Sequence, residues 1–522
     1  MKKLVLVLMV LLLASIVVFI GGCSRGSAAD PLALTPTGVL TVEIFDRGTD
    51  GGRTLAYDNA WTNWIKEKVR AELGIEVTFI PVGRWSEDTD IVNLMASGSA
   101  PDLCYTYSGG MVSAFRDQGG LLNLAPYIDT YLPDLKRLLG EDTAYPGMDF
   151  IYRNRDPATG HIYSIPSYRV ITAQRNTFIR KDWLDILGLP VPTNMEEFYQ
   201  ALVAFRDRDP GNVGINRVVP YGQNSDARWG LANLINHFID PNMTVRDRWV
   251  YNIAERNILM SGYKEGVREM NKWYNEGLIF RDFPLMTTAD DFYNQMKSGV
   301  VGAFSQNWDM PYRTDYNILV ELRRNVPNAD YIPIDITRNK DVMDKVGLQI
   351  FIPSYSPNKD AALKYLNWLA KPENFGFLQL GALGVNHEMV NGIPRSIATS
   401  GEWIQNSGQN IDYTMPMNGI ELGSPEANAR VMGLSYGAFS PDVIADAYVV
   451  STRNARAPAV WQATTLVNQY TIDLQERADA LLAQAITAPA AQFDSIWDNG
   501  IRAWRAAGAD EVFDERSSLY PQ

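Results

Sequence analysis

Cysteine and histidine are scarce in this 522-residue chain: two of the first, Cys23 and Cys104, and three of the second, His161, His237 and His387. One thiol near the N-terminus and one far downstream offer no disulfide framework. The fold must rest on an apolar core, and a chain this long can build one in two or three domains or in one large two-lobed body. No HExxH or CxxC occurs, and three scattered histidines are more often structural than metal-ligating. Cys104 reads as a small core hydrophobe. Basic blocks are missing too. With a formal charge of −13 and no Lys/Arg-rich run, the chain is a poor partner for nucleic acid. Gly433-Leu434-Ser435-Tyr436-Gly437 has the spacing of a hydrolase nucleophile elbow. That chemistry needs a histidine later in the chain, and all three lie upstream, so the match reads as coincidence.

Long apolar runs are absent except at the N-terminus. Lys2 and Lys3 precede an almost unbroken apolar stretch, residues 4–20, followed by Gly21, Gly22 and Cys23. Charged, apolar and small-residue parts in this order make an export signal. An uncleaved anchor is the alternative, because the run falls only slightly short of the ~18–20 residues that span a bilayer. Ile20-Gly21-Gly22-Cys23 resembles the lipobox of bacterial lipoproteins. The resemblance implies cleavage before Cys23 and a diacylglycerol thioether on its sulfur. Residues 1–22 are then a signal peptide and 23–37, rich in Ser, Ala, Pro and Thr, a flexible tether. Loss of Lys2 and Lys3 takes the formal charge to −15.

Farther on, periodicity takes over. "GVLTVEIFDRG" (38–48) alternates as a strand does. Trp61, Trp64, Ile65, Val69 and Leu73 share one helical face, Gly74 ends that helix, and Ile75, Val77 and Phe79 alternate again. This is a β-α-β unit, hence a parallel sheet with ligands expected at the carboxyl ends of its strands, near Asp46-Arg47 and Gly83-Arg84-Trp85. Thr193 and Glu196 have capping-box spacing. The last third is mostly helical.

The segments "LMASGSAPDL" (94–103), "TGHIYSIP" (159–166), "IRKDWLDILGLPVPTNMEEFYQALVAFRDRDP" (179–210), "YKEGVREMNKWYNEGLIFRDF" (263–283), "MKSGVVGAFSQNW" (296–308), "IPSYSPNKDAALKYLNWL" (352–369), "GALGVNHEMVNGIP" (381–394) and "FDSIWDNGIRAWRAAGADEV" (493–512) occur in this order. As an ordered set they resemble the extracellular solute-binding proteins that feed ABC sugar importers, in their long lipoprotein branch. The resemblance implies a two-lobed α/β periplasmic-binding-protein-like fold with an interlobe cleft and a helical C-terminal region. Lobe I is expected over 38–168 with a return at 351–395, lobe II over 169–350, and the helical region over 396–522, with crossings near 166–175 and 346–354. It also implies a lipid-anchored receptor on the extracytoplasmic side of the cell membrane. Such a receptor is monomeric, has no cofactor and no catalysis of its own, and hands carbohydrate to membrane permease subunits. Family members often carry a calcium loop of the form D-P-D-G-N-G-K-x-D-E. Here the run is "DPGNVGINRVVP" (209–220), with Gly211, Val213, Arg217 and Val218 at ligand positions, so no metal is expected.

Sugars present apolar C–H faces fringed by hydroxyls, which flat aromatic rings and paired polar groups match. Most tryptophans are core, as Trp61, Trp64, Trp183 and Trp273 look to be. Rings at strand ends or near crossings are the candidates: Trp85, Tyr107, Tyr168, Trp229, Trp308 and Tyr355. Asp46, Arg47, Arg169, Asn224 and Asp309 are candidate hydroxyl partners. A secreted carbohydrate-active hydrolase and an adhesin or scaffold are the rival classes. Peptides or other polar solutes also suit a two-lobed receptor.

Overall fold

The computed structural model describes residues 32–46, 55–84, 86–142, 147–156, 159–313, 316–397, 412–436, 438–456, 458–459 and 465–519. The N-terminal segment with Cys23, as well as Arg47 and Trp85, lie outside the described residues. In chain order the strands are β1 (Val39–Asp46), β2 (Glu76–Gly83), β3 (Cys104–Thr106), β4 (Ile165–Arg169), β5 (Arg175–Arg180), β6 (Val219–Tyr221), β7 (Val301–Asn307) and β8 (Tyr331–Ile334). They continue with β9 (Lys340–Asp341), β10 (Val346–Phe351), β11 (His387–Val390), β12 (Ile393–Ser396), β13 (Met417–Asn418) and β14 (Ala455–Arg456).

The expected β-α-β unit is present. Helix Ala60–Leu73 starts where the Asn59 side chain accepts from the Trp61 and Thr62 amides and ends at Gly74, left-handed with φ 68. Its Trp61, Ile65 and Val69 are buried, and Trp64 stacks on Phe377 at 4.3 Å. The helix connects β1 to its parallel partner β2, in register from Val39 opposite Glu76 to Asp46 opposite Gly83. A bridge from Val42 to Leu103 joins β1 to β3, so the sheet of lobe I runs β2-β1-β3-β10-β4-β13. Helices Lys359–Leu369 and Pro372–Leu380 pack on its core.

Lobe II is built on a second sheet, β6-β7-β5-β8, in which β5 runs antiparallel to both β7 and β8. Gly302 in β7 is required by packing: a Cβ there would stand 2.6 Å from the Phe205 ring and 2.9 Å from the Pro220 carbonyl. The C-terminal helices join this lobe. Helix Thr465–Thr487 buries Leu474, Leu481 and Leu482 against the core that also holds Trp183, Phe198 and Trp273. Arg256 binds Asp479 through two nitrogens at 2.7 Å, and Asn271 Nδ2 donates to the carbonyls of Ala485, Ile486 and Ala488. Helices Pro425–Tyr436 and Pro441–Thr452 cover the other side of the sheet through Ala429, Ile444, Ala447 and Tyr448.

Between the lobes the chain crosses through segments 169–175, 341–346 and 417–425, which hydrogen-bond to one another. Tyr168 N donates to Pro416 O at 2.9 Å, Val170 N to Asn418 O at 3.0 Å, Arg169 N to Lys345 O at 2.6 Å, and Met343 N to Thr172 O at 2.8 Å. The third of these strands was not anticipated, because "MPMNG" carries no apolar alternation.

A local expectation differs at a helix cap. The helix Met195–Arg208 is capped by Asn194, whose side chain accepts from Glu197 N at 2.9 Å, and Glu197 in turn binds Thr193. The capping pair is therefore shifted one residue from Thr193 and Glu196, since asparagine caps at least as well as threonine. Ser435 lies in the last turn of helix Pro425–Tyr436, so no strand precedes it and the nucleophile-elbow geometry is not formed.

Candidate functional site

On lobe I, the carboxyl ends of β1, β2 and β3 lie along one edge, as the parallel order of β1 and β2 requires. Tyr107, just past β3, stacks on Phe45 from the end of β1 at 6.2 Å with the rings 13° from parallel. The Arg84 guanidinium, just past β2, lies 4.5 Å from the Tyr107 ring centre. Glu87 holds both partners: Oε2 pairs with Arg84 at 3.0 Å, while Oε1 accepts from Thr106 Oγ1 at 3.0 Å and Tyr107 N at 3.3 Å. Arg169, the last residue of β4, comes within 6.0 Å of the same ring, and its Nε donates to Asp344 O at 3.2 Å. Burial lowers the Arg169 pKa from its usual value. Its neighbour Tyr168 is half-buried, edge-on to Phe150, with the Lys345 ammonium 5.7 Å from the ring centre.

On lobe II, β5 begins at Arg175 directly after the first crossing. Arg175 is 4% exposed; its guanidinium lies 4.5 Å from the Trp229 ring centre, and Nη2 donates to Asp341 Oδ2 at 2.8 Å. Asp341 closes β9 just before the second crossing. It also accepts from Asn236 Nδ2 at 2.8 Å and stands 3.8 Å from Arg456, its parallel partner on β14. Trp229 Nε1 donates to Gln306 Oε1 at 3.0 Å near the end of β7. Trp229, Asn233 and Asn236 follow helical spacing through Ala227–Gly230 and Ala232–Asn236, so they share one face. Asn233 is 1% exposed and neither polar atom of its amide has a partner. Burial lowers the pKa of Arg175 and of Arg456, with Asp341 acting in the opposite direction on both.

The faces adjoin across the crossings. Asp341 belongs to the lobe II face, whereas Asp344, three positions on, already binds Arg153 of lobe I at 3.0 Å. An aromatic ring with arginine on it thus stands at each end of the crossing strands. Flat apolar area rimmed by donors suits a polyhydroxylated ring.

The structure brings Tyr107, Tyr168, Arg169 and Trp229 to these faces. Asp46 lies exposed at the end of β1 along the same edge. Asn224 is half-buried in the turn after β6 and accepts from Gln223 Nε2 at 2.7 Å through its carbonyl. Three expected contacts stand elsewhere. Trp308 is 6% exposed, in the lobe II core edge-on to Tyr448, and Asp309 is 2% exposed beside it. The strand end there turns inward because the Trp308 amide and carbonyl bond to Gln174 O and Asn176 Nδ2. Tyr355 sits at the opposite end of lobe I, since β10 starts at the crossing and runs away from it; the Tyr355 hydroxyl accepts from Ala100 N at 3.3 Å.

Sequence reasoning placed Arg84 at a strand end where ligands collect but did not find Arg175, Asn233, Asn236, Gln306, Asp341 or Arg456. One signal was available: "WGLANLIN" (229–236) spaces a tryptophan and two asparagines by one helical turn each within an apolar segment. For Arg175, Asp341 and Arg456 no local signal exists, because Arg175 lies on the main sheet of lobe II and the other two on the separate β9–β14 pair, and they meet only in the folded chain.

In the run that departs from the calcium loop, Asp209 is committed to its own turn, accepting from Val213 N at 2.9 Å and Gly214 N at 2.8 Å. Among the described residues no group of three or more His, Cys, Asp or Glu side chains is placed to hold a metal. No helix among them is long and apolar enough to cross a membrane.

A family model described as bacterial extracellular solute-binding protein matches residues 54–374, more than half of the chain. Lipoprotein LipO of Bacillus subtilis strain 168 is 23% identical over 489 residues, covering 85% of this chain and 86% of LipO. Among solved structures, the alginate-binding protein AlgQ2 without calcium ion superposes with a TM-score of 0.64 at 18% identity, over 93% of this chain and 98% of that one. The Streptococcus pneumoniae ABC-transporter substrate-binding protein FusA in complex with kestose gives 0.63 at 15% identity, over 92% and 98%. At such identities the likeness concerns the fold.

Proposed function

We propose, from the premise that the chain belongs to the bacterial extracellular solute-binding protein family, that it is the receptor of an ABC importer and captures carbohydrate between its lobes. The observation that carries this reading is the pair of arginine-backed aromatic faces, Tyr107 with Arg84 and Arg169, and Trp229 with Arg175, at the two ends of the crossing strands. A sugar touching both faces favours the closed arrangement of the lobes by the free energy of its second set of contacts, with the three crossing segments as the hinge. Relatives named for sugar binding, such as FusA of Streptococcus pneumoniae, 25% identical over 239 residues, support the same class of ligand.

The chain performs no catalysis in this reading; it passes its ligand to permease subunits in the membrane. Cys23 carries the lipid that keeps it there, which the lipoprotein relative LipO supports. Several acyl chains, at about 0.8 kcal/mol per buried methylene, hold such a body at the surface. A thermal-shift screen across oligosaccharides tests the proposal, because a ligand of the folded state raises the melting temperature by mass action. Stabilisation by one or more oligosaccharides with no new reducing ends is the expected result. Release of reducing ends on incubation indicates a hydrolase and overturns it.

A further inference from the structure

The lobe II face holds more hydrogen-bond donors than its own acceptors answer. Arg175, Arg228 and Arg456 converge on the Trp229 face, and the carboxylates beside them are Asp341 and Asp226. Asp341 is shared between Arg175, Arg456 and Asn236, and Asp226 stands 3.9 Å from Arg228 while also capping Trp229 N at 3.0 Å. Even so, Nε of Arg175, Nε of Arg228 and both Nε and Nη1 of Arg456 are buried without an acceptor, and so is the amide of Asn233, on the helix face it shares with Trp229 and Asn236. Burying an unpaired charge-bearing donor is costly, and guanidinium groups cannot shed their proton to avoid it.

The site grades from open to closed. Arg228 and Asp341 side chains are 38% and 32% exposed and mark its rim, whereas Arg456 is 14% exposed and Arg175 4%. A sugar hydroxyl can accept from these donors, but it brings an O–H that needs an acceptor of its own. An oxyanion only accepts, and its planar or fanned oxygens match guanidinium forks two at a time.

Resting on the carbohydrate reading above, we infer that the saccharide bound here is anionic, with its oxyanion seated among Arg175, Arg228 and Arg456 over the Trp229 ring. A uronic acid carboxylate and a sulfate ester are the two sources of that chemistry. The surrounding body works against it: the whole chain has a formal charge of −13, so an anion gains its attraction from this local cluster alone.

Calorimetric titration of the full mature chain tests this with matched pairs. The probes are oligogalacturonate, oligoglucuronate and oligomannuronate with their carboxyl-reduced forms, and a sulfated oligosaccharide with its desulfated form. One charged member is expected to bind more tightly than its neutral partner by about tenfold or more, a preference that shrinks as salt rises from about 0.05 to 0.5 M. Which pair shows it separates carboxylate from sulfate. Arg228→Gln, at the rim where folding is least at stake, and Arg456→Gln should each cut that preference by about tenfold. Neutral members that bind as well as or better than charged ones overturn this inference and leave the carbohydrate receptor standing. Failure of every saccharide, charged or neutral, to bind overturns both.

Discussion

Arg175 and Asp341 meet at 2.8 Å although they belong to different crossings, one opening β5 as the chain enters lobe II and the other closing β9 as it leaves. Their ion pair ties the two strands together at the edge of the lobe II face and holds the guanidinium over Trp229. Asp341→Ala takes away the carboxylate beside a buried cation. The expected loss is about 1.5–3 kcal/mol in urea unfolding, the range for hydrogen bonds to charged groups. A stability unchanged within error would mean that Arg175 finds another acceptor.

Trp229 and Trp308 should behave oppositely. Trp229 is half-buried at the proposed site, so Trp229→Ala should weaken saccharide binding by about 1–3 kcal/mol, as loss of a buried aromatic contact does. Trp308 is 6% exposed in the core, so Trp308→Ala should lower stability by about 3–5 kcal/mol and leave binding intact at temperatures where the variant is folded. Calorimetry and thermal melts on both variants decide the matter; binding lost in Trp308→Ala alone would move the site.

Glu43 should make stability depend on pH. It is fully buried in β1, its Oε2 accepts from Tyr105 N at 3.0 Å, and burial first, with Glu87 and Asp412 adding to it, holds its pKa well above the usual 4.5. The folded state therefore binds this proton more tightly than the unfolded chain. Its contribution is fully present below about pH 4.5 and is lost as pH rises toward the folded-state pKa. Glu43→Gln, which keeps the shape and removes the charge, should flatten that decline and gain stability relative to wild type as pH rises through the window. Parallel pH profiles for the two proteins would refute this.

Calcium should leave the protein unchanged. Asp209 accepts from Val213 N and Gly214 N, and the neighbouring ligand positions hold Gly211, Val213, Arg217 and Val218. Titration with Ca²⁺ should give no binding heat and a chelator no shift in melting temperature. A tight site that Asp209→Ala removes would show that the Asp209 carboxylate, completed by backbone carbonyls, holds the ion after all.

Cys23→Ser should abolish lipidation and leave the chain in the soluble or uncleaved fraction. Labelled fatty acid that still enters the variant would place the acyl chain elsewhere.

Legibility followed the range of the interactions. The first β-α-β unit could be read because its determinants are local: Asn59 and Gly74 at the helix ends, Trp61, Ile65 and Val69 on one face, and alternation in the flanking strands. The two-lobed class came from the ordered resemblance of separate segments. At the site, Tyr107 and Arg169 could be proposed because strand ends and crossings are positions along a chain. The third crossing at 417–425 and the meeting of Arg175, Asp341 and Arg456 could not be. These residues lie 166 and 115 positions apart in succession, and their adjacency follows from β5, β9 and β14 arriving at one edge of lobe II. Trp308 shows the same limit from the other side. Polar neighbours suggested an open strand end, but bonds to Gln174 and Asn176 turned that end into the core. Local physics in the sequence determined which segments become helices and strands and which faces they bury. Only the tertiary structure decided which charges share a partner, because that depends on distances no sequence interval records.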